Sequence, residues 1–363
     1  MVADLLAADV GGTKTDLALF SRESGPFRPI AHGTLPSRAY EGLIDLVDAF
    51  LSQRSASVRH ACIAVAGPVK KQESALTNLP WIVSAEKLKD SLNADRVVVI
   101  NDLEAIAESI PLLRPSELVE LQSGAAAPHG PIAVLAPGTG LGEAFLVWDG
   151  SRHRVHPSEG GHVDFAPRTL VQEQLLAFAR GRYGHVSVER VCSGMGIPLI
   201  YEFLRDEVGG TEPAWLADQM AKAEDRTPVI VDAAKDTTQP VELCRQALEL
   251  FVEILAAEAG NFALKLLATG GVYLAGGLPP RLIEFLQPSF QRTFSDKGRF
   301  RDFAASLPVH VVMRKQTALL GIAARELATA ERRAQSECDV PRSETRRDQR
   351  TDATRGEAST VSS

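Results

Sequence analysis

Four groups of residues have the types and spacing that chemistry needs. The first is the stretch RVVVINDLEAIAES, residues 96–109, where Val97 to Ile100 read as a strand buried on both faces. Asn101 and Asp102 follow at once, directly ahead of a helical pattern. Read alone, an Asn-Asp pair there caps the helix, because both side chains accept the unpaired N–H groups of a first turn. The second group is ADVGGTKTD, residues 8–16, a glycine turn flanked by Asp9 and Thr13. Hairpin chemistry explains Gly11 and Gly12. The same backbone N–H groups also suit a phosphate, with Asp9 facing its metal ion. The third is LAPGTGLGEAF, residues 135–145, with Gly138, Thr139, Gly140 and Gly142; it leads into a strand, so it is no dinucleotide fingerprint. The fourth is VYLAGGLPPRLIEF, residues 272–285, in which Gly276-Gly277 end a strand and two prolines open a helix. Glycine at that junction lets a flat ligand or a phosphate approach the backbone.

A further segment, HPSEGGHVDF (156–165), holds Glu159 and His162 three residues apart. On a helix that spacing would suit a dinuclear metal site. Gly160-Gly161 argue against a helix and for a loop.

The elements that must position these residues follow from periodicity. Leu5–Val10 and Thr15–Phe20 are strands of a hairpin, followed by a helix over about 40–51. A strand is expected at 60–66, a helix at 84–92 capped by Ser84, and the strand at 96–100. A second hairpin, 131–136 and 143–148, begins the other half. Helices follow at 170–180, 196–207 and 241–267, then a strand at 271–275 and a helix at 279–286. A strand at 310–313 and a helix at 317–327 complete the pattern. From Glu331 to Ser363 the chain has seven Arg, seven Asp or Glu and almost no large apolar residue. Such a segment buries too little surface to offset its ordering entropy and reads as disordered.

The 363 residues are 45% hydrophobic and carry a net charge of −7, which fits a two-domain chain with no general attraction for nucleic acid or anionic membranes. The apolar region 243–268 is interrupted by Glu249, Glu253, Glu258 and Lys265, so it is not a membrane span. No secretory signal opens the chain. Cys62, Cys192, Cys244 and Cys338 form no CxxC pair, and a cytoplasmic location is the simplest reading.

The order of these motifs resembles the sugar-kinase branch of the actin–hexokinase ATPase superfamily. More closely it is similar to the bacterial glucokinases, through DVGGTK, NLPW, INDLEA, APGTGLG, EGGH, ERVCSGMG and LAGGLPPR. The likeness covers roughly residues 5–327 and implies an α/β, two-domain actin-like ATPase (ribonuclease H-like) fold with an interdomain cleft. It implies a small domain over 1–105, completed by the helix at 317–328, and a large domain over 106–316. It further implies ATP-dependent phosphorylation of D-glucose at the 6-hydroxyl, the first step of glycolysis. Asp102 then matches the general base, while Asn78, Asn101, Glu159, His162 and Glu189 match sugar ligands. Asp9, Gly11, Gly12, Thr13, Lys14, Gly138, Thr139, Gly140, Gly276 and Gly277 fall on the ATP side, with Asp9 towards Mg²⁺. A homodimer is implied as well. Only Cys192 lies between His156 and Gly210, so the cysteine-rich zinc motif of the related ROK kinases and repressors is missing, which places the chain nearer the zinc-free branch.

Three other readings share this scaffold. One is a kinase of another hexose or N-acetylhexosamine. Another is a sugar-sensing regulator, which would need a DNA-reading module that neither end of this sequence supplies. A chaperone-like ATPase would need a peptide-binding domain.

Overall fold

The computed structural model describes residues 2–76 and 78–338. Among these, the residues up to Leu327 form one compact unit and those from Ala328 on belong to a second. The first half contains β1 (Val2–Val10), β2 (Lys14–Phe20) and β3 (Ala31–Pro36), then α1 (Leu43–Ser52) and β4 (Ser57–Val65). A short hairpin, β5 (Glu73–Ala75) and β6 (Ile82–Ser84), leads to α2 (Ala85–Leu92), β7 (Arg96–Asn101) and α3 (Asp102–Ser109). Next come β8 (Leu118–Gln122), β9 (Ile132–Pro137), β10 (Leu141–Trp148) and β11 (His153–Ser158). Five helices follow: α4 (Leu170–Tyr183), α5 (Gly196–Asp206), α6 (Ala214–Lys222), α7 (Arg226–Lys235) and α8 (Glu242–Leu266). The last elements are β12 (Gly271–Leu274), α9 (Ile283–Ser295), α10 (Arg301–Ser306), β13 (Val309–Val312) and α11 (Thr317–Cys338).

The strands form two large sheets with one topology. In the first, the order is β3-β2-β1-β4-β7; in the second it is β11-β10-β9-β12-β13, with β8 added at the edge. Each begins with a three-stranded antiparallel meander and continues with two parallel strands. Both faces of each sheet are covered, so the central strands read as continuous apolar runs. On the first sheet, α1 and α2 bring Leu46, Val47, Phe50 and Leu88 against Leu6, Val10 and Leu17. The opposite face meets Ala318, Leu319 and Ile322 of α11. The second sheet packs one face on the long apolar helix α8 and on α5 and α9.

Helix α3 links the two cores. Ala105 joins the cluster of the first sheet, whereas Leu103, Ala107 and Ile110 enter that of the second, with Val134, Ala144, Leu146 and Val312. Burying a leucine such as Leu103 contributes about 1.5–3 kcal/mol, so α3 is held from both sides. Its first residue is Asp102.

Two expectations change. Ser84 ends β6, its side chain makes no capping hydrogen bond, and its hydroxyl oxygen is buried without a partner. The last helix does not stop at Leu327 but runs on to Cys338, into the start of the segment read as disordered. The remainder of that segment, 339–363, lies outside the described residues. Among the described residues no helix is long and apolar enough to cross a membrane.

Candidate active site

Asp102 and its neighbour divide two tasks. Asn101 is the cap: its Oδ1 accepts the N–H of Leu103 at 2.9 Å and of Glu104 at 3.4 Å. Its Nδ2 donates to the Gly67 carbonyl at 3.2 Å, which fixes the amide orientation. Asp102 is thereby freed from capping, apart from the Leu103 N–H, which its Oδ1 accepts at 2.8 Å. Burial raises the Asp102 carboxyl above the ordinary range, while the Leu103 and Asp102 N–H groups and the Asn101 side chain oppose the shift.

The first glycine turn lies beside it. Asp9 sits near the end of β1, opposite Asp16 of β2 in the register. Its carboxyl is pushed up to about 7, chiefly by burial, then by the charges of Asp102 and Asp16, with Lys14 pulling the other way. Three carboxylates with one exposed lysine form a region short of positive charge. That fits a divalent cation carried in by a nucleotide. The turn itself is tied by Ser37, which is fully buried and had no signal in the sequence. Its hydroxyl donates to the Gly11 carbonyl at 2.7 Å and its N–H to the Thr13 carbonyl at 3.0 Å. Thr13 and Lys14 are exposed at the tip.

Asn78 is exposed in the loop between β5 and β6, held at the base by the Leu76 N–H donating to the Trp81 carbonyl at 3.0 Å. A side chain at Gly12 would strike Asn78 Cβ, 2.7 Å from the position its own Cβ would take. The first turn and this loop are therefore in contact.

The second turn approaches from the other sheet. A side chain at Gly142 would meet Leu103 Cδ2 at 2.8 Å, so the strand after this turn lies against the residue that follows Asp102. Gly138 and Thr139 at the tip are held from α5's side: the Gly194 N–H donates to the Gly138 carbonyl at 2.7 Å. The third turn adjoins the second. Gly276 takes φ +82°, a conformation open to glycine, and a Cβ there would lie 3.1 Å from the Pro137 carbonyl oxygen. Gly277 is exposed beyond it.

Glu159, His162 and Glu189 come together as a separate group. Gly160–His162 form one 3-10 turn with Glu159 as its leading residue. His162 Nε2 lies 3.8 Å from Glu159 Oε2, and His162 Nδ1 lies 3.9 Å from Glu189 Oε1. Glu159 and His162 are exposed, whereas Glu189 is largely covered. A carboxylate and an imidazole at this spacing can take the hydroxyls of a polyol between them.

Glu143 was not singled out by the sequence reading. It is 1% exposed, and neither of its carboxylate oxygens has a hydrogen-bond partner among the described residues. The signal was available: an acidic residue inside the strand LGEAFLVW, on an otherwise apolar face.

The fold with these turns is that of solved sugar kinases. A crystal structure of glucokinase from an Antarctic psychrotroph superposes with a TM-score of 0.75 at 34% identity, covering 88% of this chain and 98% of that one. A ROK family glucokinase from Streptomyces griseus in complex with glucose and AMPPNP shares the fold, with a TM-score of 0.59, 17% identity, and coverage of 88% and 97%. The chain belongs to the glucokinase family: the family model described as Glucokinase matches residues 6–329. Glucokinases of Synechocystis sp. and Nostoc sp. are 41% and 40% identical to it, over 89% and 88% of this chain and 98% and 97% of theirs.

Proposed function

We propose that this protein is a glucokinase that transfers the γ-phosphoryl group of ATP to the 6-hydroxyl of D-glucose. The observation that carries the reading is the position of Asp102, at the start of a helix packed into the cores of both sheets, where the glycine turns converge. Asp102 accepts the proton of the 6-hydroxyl as that oxygen bonds to the γ-phosphorus and the bond to the ADP oxygen breaks. The transition state is loose, so the protein contributes mainly positioning and charge stabilisation. Glu159, His162 and Glu189 hold the sugar hydroxyls from the second sheet; Asn78 and Asn101 hold them from the first. The backbone N–H groups at Gly12, Thr13 and Lys14, at Thr139 and Gly140, and at Gly276 and Gly277 cradle the phosphates, while the Gly11 and Gly138 N–H groups close their turns on the Lys14 and Gly140 carbonyls. Mg²⁺ enters with ATP as part of the substrate, and Asp9 faces it.

The repeated topology supports an actin-like, ribonuclease H-like pair of domains. One spans about 1–105 with α11 against its sheet, the other about 106–316, and the sugar lies between them. The enzyme then works in the cytoplasm as a homodimer, at the entry to glycolysis. A coupled assay of ADP release with a panel of hexoses, N-acetylhexosamines and phosphoryl donors tests the reading. Glucose with ATP should give the highest kcat/KM. Higher values with another hexose or an N-acetylhexosamine would move the assignment to a different sugar on the same scaffold.

A further inference from the structure

Beneath the loop that carries Glu159 and His162 lies a carboxyl that the reaction does not use. Glu143 points from β10 towards α8, on the same sheet face as Phe145, whose ring meets Phe262 of α8. A Cβ at Gly160 would collide with Glu143 Oε2, so the loop backbone rests directly on this carboxyl. The contact is reinforced through Ser158, whose hydroxyl donates to the Glu143 carbonyl at 2.8 Å and accepts the Gly160 N–H at 3.2 Å. The next glycine is seated as tightly, since a side chain at Gly161 would meet the Leu141 carbonyl oxygen. From β10 upward, the loop has no room to shift without moving Glu159 and His162.

We propose that Glu143 is a positioning residue for the sugar loop: its buried carboxyl is the seat of the Gly160 turn, and charging that carboxyl loosens the loop and weakens glucose binding. The inference rests on the sugar-side reading of Glu159 and His162.

The surroundings explain why the seat is uncharged at neutral pH. Burial pushes the Glu143 carboxyl up to about 8, the charge of Glu258 on α8 adds to the shift, and Lys265 on the same helix opposes it. Glu258 is itself buried, accepts from Asn261 Nδ2 at 3.2 Å and lies 3.7 Å from Lys265 Nζ. Lys297 donates to Asn261 Oδ1 at 2.7 Å and to the Ala257 carbonyl at 2.8 Å, so its charge is already engaged on α8. On β11, His156 stacks on Phe145 along the same face. The buried Cys192 thiol is the other titratable group here, held up by burial and by the charges of Glu258 and Glu143. A second negative charge in this setting shares Lys265 with Glu258. It repels Glu258 and sits desolvated against the Gly160 backbone.

The test is the pH dependence of KM for glucose, read beside kcat and KM for ATP, in wild type and in Glu143→Gln. Glutamine keeps the shape and removes the ionisation. Wild type should hold a flat KM for glucose up to about pH 7 and then show a severalfold rise through pH 8 to pH 9, with KM for ATP little changed, because the Glu143 carboxyl is pushed up to about 8. Glu143→Gln should match wild type at pH 7 and stay flat at pH 9. A second variant, Glu258→Gln, removes the neighbouring charge and should bring the rise to lower pH. A wild-type KM that does not rise, or a rise that persists unchanged in Glu143→Gln, overturns the proposal, and so does an unmoved rise in Glu258→Gln. The reading beneath it is tested separately by Glu159→Ala and His162→Ala at pH 7. If those two leave glucose affinity unchanged, the sugar loop itself is misassigned; if they weaken it and the pH profiles fail, only the role of Glu143 falls.

Discussion

Glu189 joins the second glycine turn to the sugar loop: its Oε2 accepts the Leu141 N–H at 2.9 Å, while its Oε1 lies 3.9 Å from His162 Nδ1. A residue assigned to the sugar side is thus also the peg that holds a turn assigned to the phosphates. Gly140 is glycine because a Cβ there would occupy the place of Glu189 Oε2. One carboxylate makes the geometry of the two sub-sites interdependent.

Replacing that glycine should therefore be felt on the wrong substrate. In Gly140→Ala the methyl group displaces the Glu189 carboxylate, which loses the Leu141 N–H and its alignment with His162. KM for glucose should rise by roughly tenfold, the equivalent of one hydrogen bond to a charged group. Steady-state kinetics for both substrates is the check; an effect confined to KM for ATP would mean that Glu189 does not serve the sugar.

Asp102→Asn should fold normally, because the cap belongs to Asn101. Loss of a general base lowers kcat by about 10²–10⁴, with KM little changed when the role lies in the transition state. A melting curve like that of wild type, together with kcat above about a third of the wild-type value, would remove Asp102 from the base role.

Glu159→Ala and His162→Ala should mainly reduce glucose affinity. A sugar hydroxyl left unpaired costs about 1–3 kcal/mol, which isothermal titration with glucose alone can read. Smaller losses of kcat should accompany the change. Unchanged affinity in both variants would exclude this loop from the sugar site.

The acid limb of the pH profile should lie higher than for ordinary carboxylates. In the proposed role Asp9 acts as an anion, and its carboxyl is held up to about 7 by burial and by Asp102 and Asp16. It takes up a proton as pH falls through that value, and kcat/KM for the Mg²⁺–ATP complex should drop up to about tenfold per pH unit below it. Lys14 lowers the Asp9 value, so Lys14→Met should move the limb to higher pH. A profile flat down to pH 5 would contradict the electrostatic account.

Glucose should also draw the two sheets together, since its proposed ligands come from both: Asn78 and Asp102 from elements of the first, Glu159, His162 and Glu189 from loops of the second. Closure of this kind excludes water that would otherwise hydrolyse ATP. Small-angle scattering should give a smaller radius of gyration at saturating glucose. An unchanged value would count against a hinge between the sheets.

Much of this molecule was written locally. The apolar runs of β1, β4, β7 and β9 and the periodicity of α1, α5 and α8 place those elements to within a few residues, because a buried face must repeat with the period of its own backbone. Ordered glycine motifs mark the turns, and the switch from an apolar run to a helical pattern marks Asp102. Strands β3, β6, β8 and β11 were not legible. β3, for example, is AHGTLP, which alternates between half-buried and exposed and becomes a strand only because β2 offers it an edge. Helix α7 has weak apolar patterning and is decided by packing against α5 and α8, while α6 follows a turn-rich segment and packs on α7. The α11 helix passes through the composition change after Leu327, since Glu, Arg, Ala and Gln are all good helix formers. In the site, sequence could name the carboxylates but not their states. Which of Asn101 and Asp102 caps and which stays free depends on the Gly67 carbonyl, 34 residues away. The raised carboxyls of Asp9 and Glu143 depend on how completely other elements exclude water from them. That is a property of the packed molecule, because desolvation and Coulomb interactions act through space and not along the chain.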